Sequence, residues 1–205
     1  MAASIIGWHF AADRLRDGRP LPRKGDTLKH DGAVVLCQSG LHASVRAIDA
    51  LLTLDSIDPA RIAVCGGSQG GGIALAVGGI DPRVAALLPD VPFLCDFPRA
   101  LRMAAQNPYL EILRYLAQHR DQKARVMETL AYFDGVNFAR FAKAKALFSV
   151  ALMDDVCPPS TVYGAFNAYR GEKTMVEYEF NNHEGGQAFQ VQKQLEWLSA
   201  AFGMN

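Results

Sequence analysis

Residues Gly66-Gly67-Ser68-Gln69-Gly70 follow the apolar run Arg61-Ile62-Ala63-Val64-Cys65 and lead into an apolar, glycine-rich stretch with helical character. This is Gly-x-Ser-x-Gly between a strand and a helix. In that setting the serine sits on a sharp turn with its hydroxyl exposed. The turn demands glycine because its backbone passes so close to its neighbours that a Cβ clashes. A strand that turns directly into a helix is also the first half of a parallel crossover, so the motif constrains the fold as well as naming a nucleophile.

The rest of the chain has matching punctuation. Ala33–Cys37, 61–65, 84–89, 146–153 and 175–180 read as strands, and 42–52, 69–79 and 186–202 as helices. Residues 1–32 alternate Gly, Pro and charge and read as loops. Residues 98–145 read as mainly helical. Alternating strands and helices predict a mainly parallel sheet of about five strands, covered on both faces. With so few strands the elbow strand risks lying at an edge, which the N-terminal segment or another chain must cover.

Composition excludes several classes. The 205 residues carry 21 basic and 21 acidic side chains, so no nucleic-acid footprint is evident. No apolar run reaches the ~18 residues of a membrane span, and the first residues lack the pattern of a secretory leader. The four cysteines, Cys37, Cys65, Cys95 and Cys157, are widely spaced with no Cys-x-x-Cys pair. They read as free thiols in a reducing cytoplasm, with no metal site and no cofactor expected.

A serine nucleophile needs a base, and the base needs an acid to orient it. In this arrangement the chain order is serine, acid, histidine, each after a strand. Asp154 and Asp155 follow the strand ending at Met153, and His183 follows the strand ending at Phe180. His9, His30 and His42 precede the serine, and His119 falls in the helical insert. His183 is therefore the expected base. The acid is Asp154 or Asp155; Asp154 immediately follows the strand, and Asp155 would then be a solvated loop residue or turn former.

These residues resemble the acetyl xylan esterase and cephalosporin C deacetylase group, carbohydrate esterase family seven of the α/β-hydrolases. The likeness runs over about residues 48–205. It rests on residues 61–72, 90–97, 128–134 and 154–162 and on Asn182-His183-Glu184. It implies a truncated α/β-hydrolase fold with a helical cap at 98–145, and a triad of Ser68, Asp154 and His183. It also implies removal of acetyl groups from small acetylated sugars or cephalosporin-type esters, and a homo-oligomer. The Gln69 backbone N–H is the expected first oxyanion donor. Family members carry more sequence ahead of the elbow than the 67 residues here, and their oxyanion segment has no counterpart. Gly40 or Leu41 is the surrogate if 33–37 takes the place of the strand beside the elbow strand. Pro92 and Phe93 are expected to shape the substrate pocket, with Trp8 and Trp197 as packing residues. Residues 1–47 form an atypical N-terminal segment, and about residues 7–50 are weakly similar to a small uncharacterised domain of phage and bacterial proteins. The alternative to an esterase is an impaired remnant kept as an interaction or structural module.

Overall fold

The computed structural model describes residues 2–6, 28–30, 33–35 and 41–203. Its main sheet has five parallel strands: β1 (Ala2–Ile6), β4 (Ile57–Gly67), β5 (Ala86–Asp90), β6 (Lys145–Ala151) and β7 (Lys173–Tyr178), side by side in that order. A separate antiparallel pair joins β2 (Leu28–His30) to β3 (Ala33–Val35). The helices are α1 (Leu41–Leu51), α2 (Gln69–Ile80), α3 (Phe97–Met103), α4 (Tyr109–Gln118), α5 (Lys123–Ala131), α6 (Gly135–Ala139), α7 (Pro159–Ala168) and α8 (Gln187–Phe202), with one 3₁₀ turn at Arg120–Gln122.

Two expectations are corrected. Residues 33–35 are extended, but they pair with 28–30 and not with the main sheet. The place beside the elbow strand belongs to Ala2–Ile6, in a stretch that read as loop. Isolated five-residue strands carry little periodic signal, and pairing with a neighbour decides their state. The expected edge is thus covered: β4 lies between β1 and β5. The last strand ends at Tyr178, two residues earlier than its alternation suggested, and Phe180 lies exposed beyond it.

β5 is buried on both faces and contains Pro89. Proline offers no N–H to a ladder. The pairing of β5 with β6 runs Ala86↔Lys145 and Leu87↔Ala146 and resumes at Asp90↔Ser149, skipping the proline.

One apolar cluster fills the face under α1, α2 and α7, with Ile48, Leu51, Ile62, Val64, Leu75, Val77, Leu87 and Phe148 buried in it. Leu198 of α8 closes the other face over Ala63, Leu88 and Leu147, with Trp197 packed against this group as expected. Trp8 lies outside the described residues. The segment 97–131 gathers around a third cluster of Phe93, Phe97, Ala100, Leu101, Tyr109 and Cys157. Asp134 fastens this segment to the body. Its buried carboxylate accepts from Asp96 N–H (2.8 Å), Phe97 N–H (2.9 Å) and Val136 N–H (2.9 Å), so one side chain fixes the entry to α3 and caps α6. At the end of α7 the Lys173 ammonium donates to the carbonyls of Phe166 (2.7 Å), which also accepts from Tyr169 N–H (3.2 Å), and of Tyr169 (2.8 Å), so a cation closes the C-terminal end of the helix.

Candidate active site

The elbow forms because β4 runs into α2 with only Ser68 between them. Ser68 takes φ 52°, a left-handed conformation that a side chain adopts at a cost. Its N–H donates to Asp90 O (2.9 Å), and its carbonyl accepts from Gly72 N–H (3.1 Å) and Phe93 N–H (2.9 Å). Three backbone hydrogen bonds, to Asp90, Gly72 and Phe93, thus hold the strained residue. A Cβ on Gly66 would lie 2.4 Å from the Gly70 carbonyl carbon, and one on Gly72 would lie 2.4 Å from Phe93 O. Both positions therefore require glycine.

The partners arrive on loops beyond the carboxyl ends of β6 and β7. His183 Nε2 is 2.9 Å from Ser68 Oγ, and His183 Nδ1 is 2.9 Å from Asp154 Oδ2. A carboxylate only accepts, so Nδ1 carries the proton and Nε2 is left to accept from the serine hydroxyl. Asp154 is 4% exposed. Its other oxygen accepts from Val156 N–H (2.9 Å) and Cys157 N–H (2.7 Å), which fixes the carboxylate without any cation. Pro158 and Pro159 lead from this turn into α7, with Pro159 in its first turn. Asn182 ties the two loops together, because its Oδ1 accepts from His183 N–H (2.7 Å) and from Asp155 N–H (3.2 Å).

All three residues of the expected serine–histidine–acid set are thus brought into one hydrogen-bonded chain, with Asp154 and not Asp155 against the imidazole. Asp155 accepts from Gln106 Nε2 and so connects the acid loop to the segment between α3 and α4. As first residue of α2, Gln69 has a backbone N–H with no acceptor inside the helix, at its positive end. Gly40 lies outside the described residues and Leu41 begins α1. The premise for that pair as oxyanion donors is not met, since β1 and not 33–37 adjoins the elbow strand. Phe93 is buried against Tyr109, ring centroids 4.5 Å apart, while Pro92 packs against the Gly71 backbone. His119 stacks on Tyr115 in the helical segment.

Two residues of the site escaped the sequence reading. Asn182 was visible only as the neighbour of His183. Cys157 read as an inert thiol, yet its sulfur, an Asp154 carboxylate oxygen and a His183 ring nitrogen lie within 4.8 Å of one another. Burial, with the Asp154 charge beside it, pushes this thiol well above its ordinary pKa. Burial also pushes Cys65 up to about 12.

A parallel sheet with a serine elbow and loops from the next strands closing on it defines an α/β-hydrolase. More narrowly, the chain belongs to the acetyl xylan esterase (AXE1) family, whose model matches residues 40–201. Acetyl esterase Axe7A of Xylanibacter ruminicola is 35% identical over 142 residues, which is 69% of this chain and 31% of that one. An acetyl xylan esterase of a Paenibacillus species has 39% identity and a TM-score of 0.75, covering 78% of this chain and 51% of its own. Acetyl xylan esterase 1 of a Thermoanaerobacterium species has the same fold at 24% identity (TM-score 0.77), covering 98% of this chain and 75% of its own. The chain therefore spans about a third to a half of the length of the first two relatives.

Proposed function

We propose that this chain is a serine carboxylesterase that removes acetyl groups from small acetylated carbohydrates, xylo-oligosaccharides foremost, with cephalosporin-type acetyl esters as a second substrate class. The observation that carries the reading is the chain Ser68–His183–Asp154, with both contacts at 2.9 Å, on an elbow strained in the manner of a nucleophile turn. Membership of the acetyl xylan esterase family supports acetyl as the acyl group.

In the reaction so inferred, His183 Nε2 takes the Ser68 proton as Oγ attacks the ester carbonyl. Asp154 holds the Nδ1–H tautomer and balances the imidazolium charge. The proton passes to the departing sugar oxygen, leaving an acetyl-serine. Water then attacks, giving its proton to Nε2, and acetate leaves as the serine is reprotonated. The Gln69 N–H and the dipole of α2 receive the oxyanion in both halves. An oxyanion donor of this kind contributes on the order of 10²–10³ in rate.

Segment 97–131 would act as a cap over the acyl pocket, with Pro92 and Phe93 at its base. The clefts among its helices, lined by Tyr115, Arg125 and Met127, are not lined by the triad. The unpaired thiols Cys65, Cys95 and Cys157 favour a reducing compartment such as the cytoplasm. Phe180 (84% exposed), Phe189 (74%) and Met153 (61%) favour a homo-oligomer that covers them.

Hydrolysis of 4-nitrophenyl acetate and of acetylated xylo-oligosaccharides by the protein and by Ser68→Ala tests the reading. The expected loss is on the order of 10⁴–10⁶ in kcat, with fluorophosphonate labelling abolished. Equal rates in the two proteins would reject it in favour of a non-catalytic module.

A further inference from the structure

The reaction above makes no use of one thiol that adjoins the serine, histidine and aspartate. Cys157 follows Asp154 by three residues and is wholly buried (0%). Its backbone N–H is fixed by Asp154 Oδ1 at 2.7 Å. Its sulfur converges with Asp154 and His183 within 4.8 Å, and Ser68 faces it as well. Sulfur, imidazole nitrogen and carboxylate oxygen together are the donor set of zinc and similar thiophilic ions. Calcium and magnesium, which take oxygen, are disfavoured by two of the three donors. The bonds of tetrahedral zinc, about 2.0–2.3 Å, place neighbouring donors roughly 3.3–3.8 Å apart, so separations toward the 4.8 Å limit must close by about 1 Å and the 2.9 Å hydrogen bond between His183 Nδ1 and Asp154 must give way. Thiolate and carboxylate together balance a divalent charge. Access is from the serine side, where Ser68 and His183 are only half-buried.

We propose that Cys157 makes the triad a reversible inhibitory site for Zn²⁺ and related thiophilic divalent cations, held by Cys157 Sγ, His183 and the Asp154 carboxylate. On binding, the thiol releases its proton to solvent and a metal–sulfur bond forms. The imidazole lone pair is turned to the metal, so Ser68 loses its base. The inhibition rests on the esterase reading, whereas the binding does not. The competing account of Cys157 is plain packing in the cluster around Phe93 and Tyr109.

The protein is freed of metal with a chelator and titrated with Zn²⁺ while 4-nitrophenyl acetate hydrolysis is followed, beside Cys157→Ala and Cys157→Ser. Both variants are expected to retain turnover within about threefold. The Zn²⁺ concentration for half inhibition should rise at least about tenfold, since even loss of a group that merely supports a ligand weakens a metal site on that scale. Independently of turnover, Co²⁺ should give a thiolate-to-metal charge-transfer band in the wild type, in Ser68→Ala and in Cys95→Ser, but not in the Cys157 variants. Unchanged Zn²⁺ sensitivity in the Cys157 variants overturns the proposal, as does absence of the band from wild type. If the wild type proves inactive the esterase reading fails, and the Co²⁺ band still decides the metal site.

Discussion

Gly66 illustrates how one hydrogen atom in place of a methyl group sets the chemistry of its neighbour. The Cβ of an alanine there would meet Gly70 backbone atoms at 2.4–2.8 Å, and backbone cannot swing aside as a side-chain tip does. Gly66→Ala should therefore cost about 2–4 kcal/mol of stability and flatten the turn that presents Ser68. The check is a thermal melt beside fluorophosphonate labelling, with labelling expected to slow more than tenfold even well below the melting temperature. At this scale the sequence was highly informative. Glycine spacing, the order serine–aspartate–histidine and the strand ends needed no knowledge of packing. The choice between Asp154 and Asp155 was another matter. Both follow the same strand, and only the turn through Val156 and Cys157, which points Asp154 inward, separates them. Asn182 was beyond reach for a related reason, because a side-chain bridge between two loops leaves no periodic trace.

Elements are joined here by few but well-placed charges. Arg83 donates to Asp81 at the end of α2 (Nη2–Oδ2 2.6 Å) and to Asp49 of α1 (Nη1–Oδ1 2.8 Å), so one guanidinium ties two helices that share a core. The hydrogen bond from Arg83 holds the Asp81 carboxyl below its ordinary pKa, against the opposing effect of burial. A group whose folded pKa is depressed adds stability above its unfolded pKa and loses it as pH falls through the folded one. Arg83→Leu should thus lower the urea midpoint at pH 7 and change it much less at the acid end, where Asp81 is protonated in both proteins. An equal loss at both pH values would show that packing of the arginine stem, not its charge, is what matters. Helices were the more legible elements, since a 3.6-residue stripe over ten or more residues is a strong signal. Strands were less so. Tyr178 and Phe180 belong to one alternating run, yet alternation reports which face a residue takes and not where hydrogen bonding stops. β1 carried too few residues for any pattern.

For the whole molecule the decisive fact is that five parallel strands bring residues from distant parts of the chain to one edge. Among the described residues the outermost strands of the main sheet are β1 and β7. A homo-oligomer that buries Phe180 and Phe189 should give a light-scattering mass above that of a single chain. Replacing both with serine should shift the mass toward one chain while leaving the circular dichroism spectrum unchanged. A single-chain mass for the unaltered protein would reject the assembly. The contact between Ser68 and His183 spans 115 positions, whereas that between Asp154 and His183 spans 29. Translation therefore makes the elbow 115 residues before it reaches His183, so the hydrogen-bonded chain through Ser68 can close only once the intervening strands β5, β6 and β7 and their loops have been synthesised.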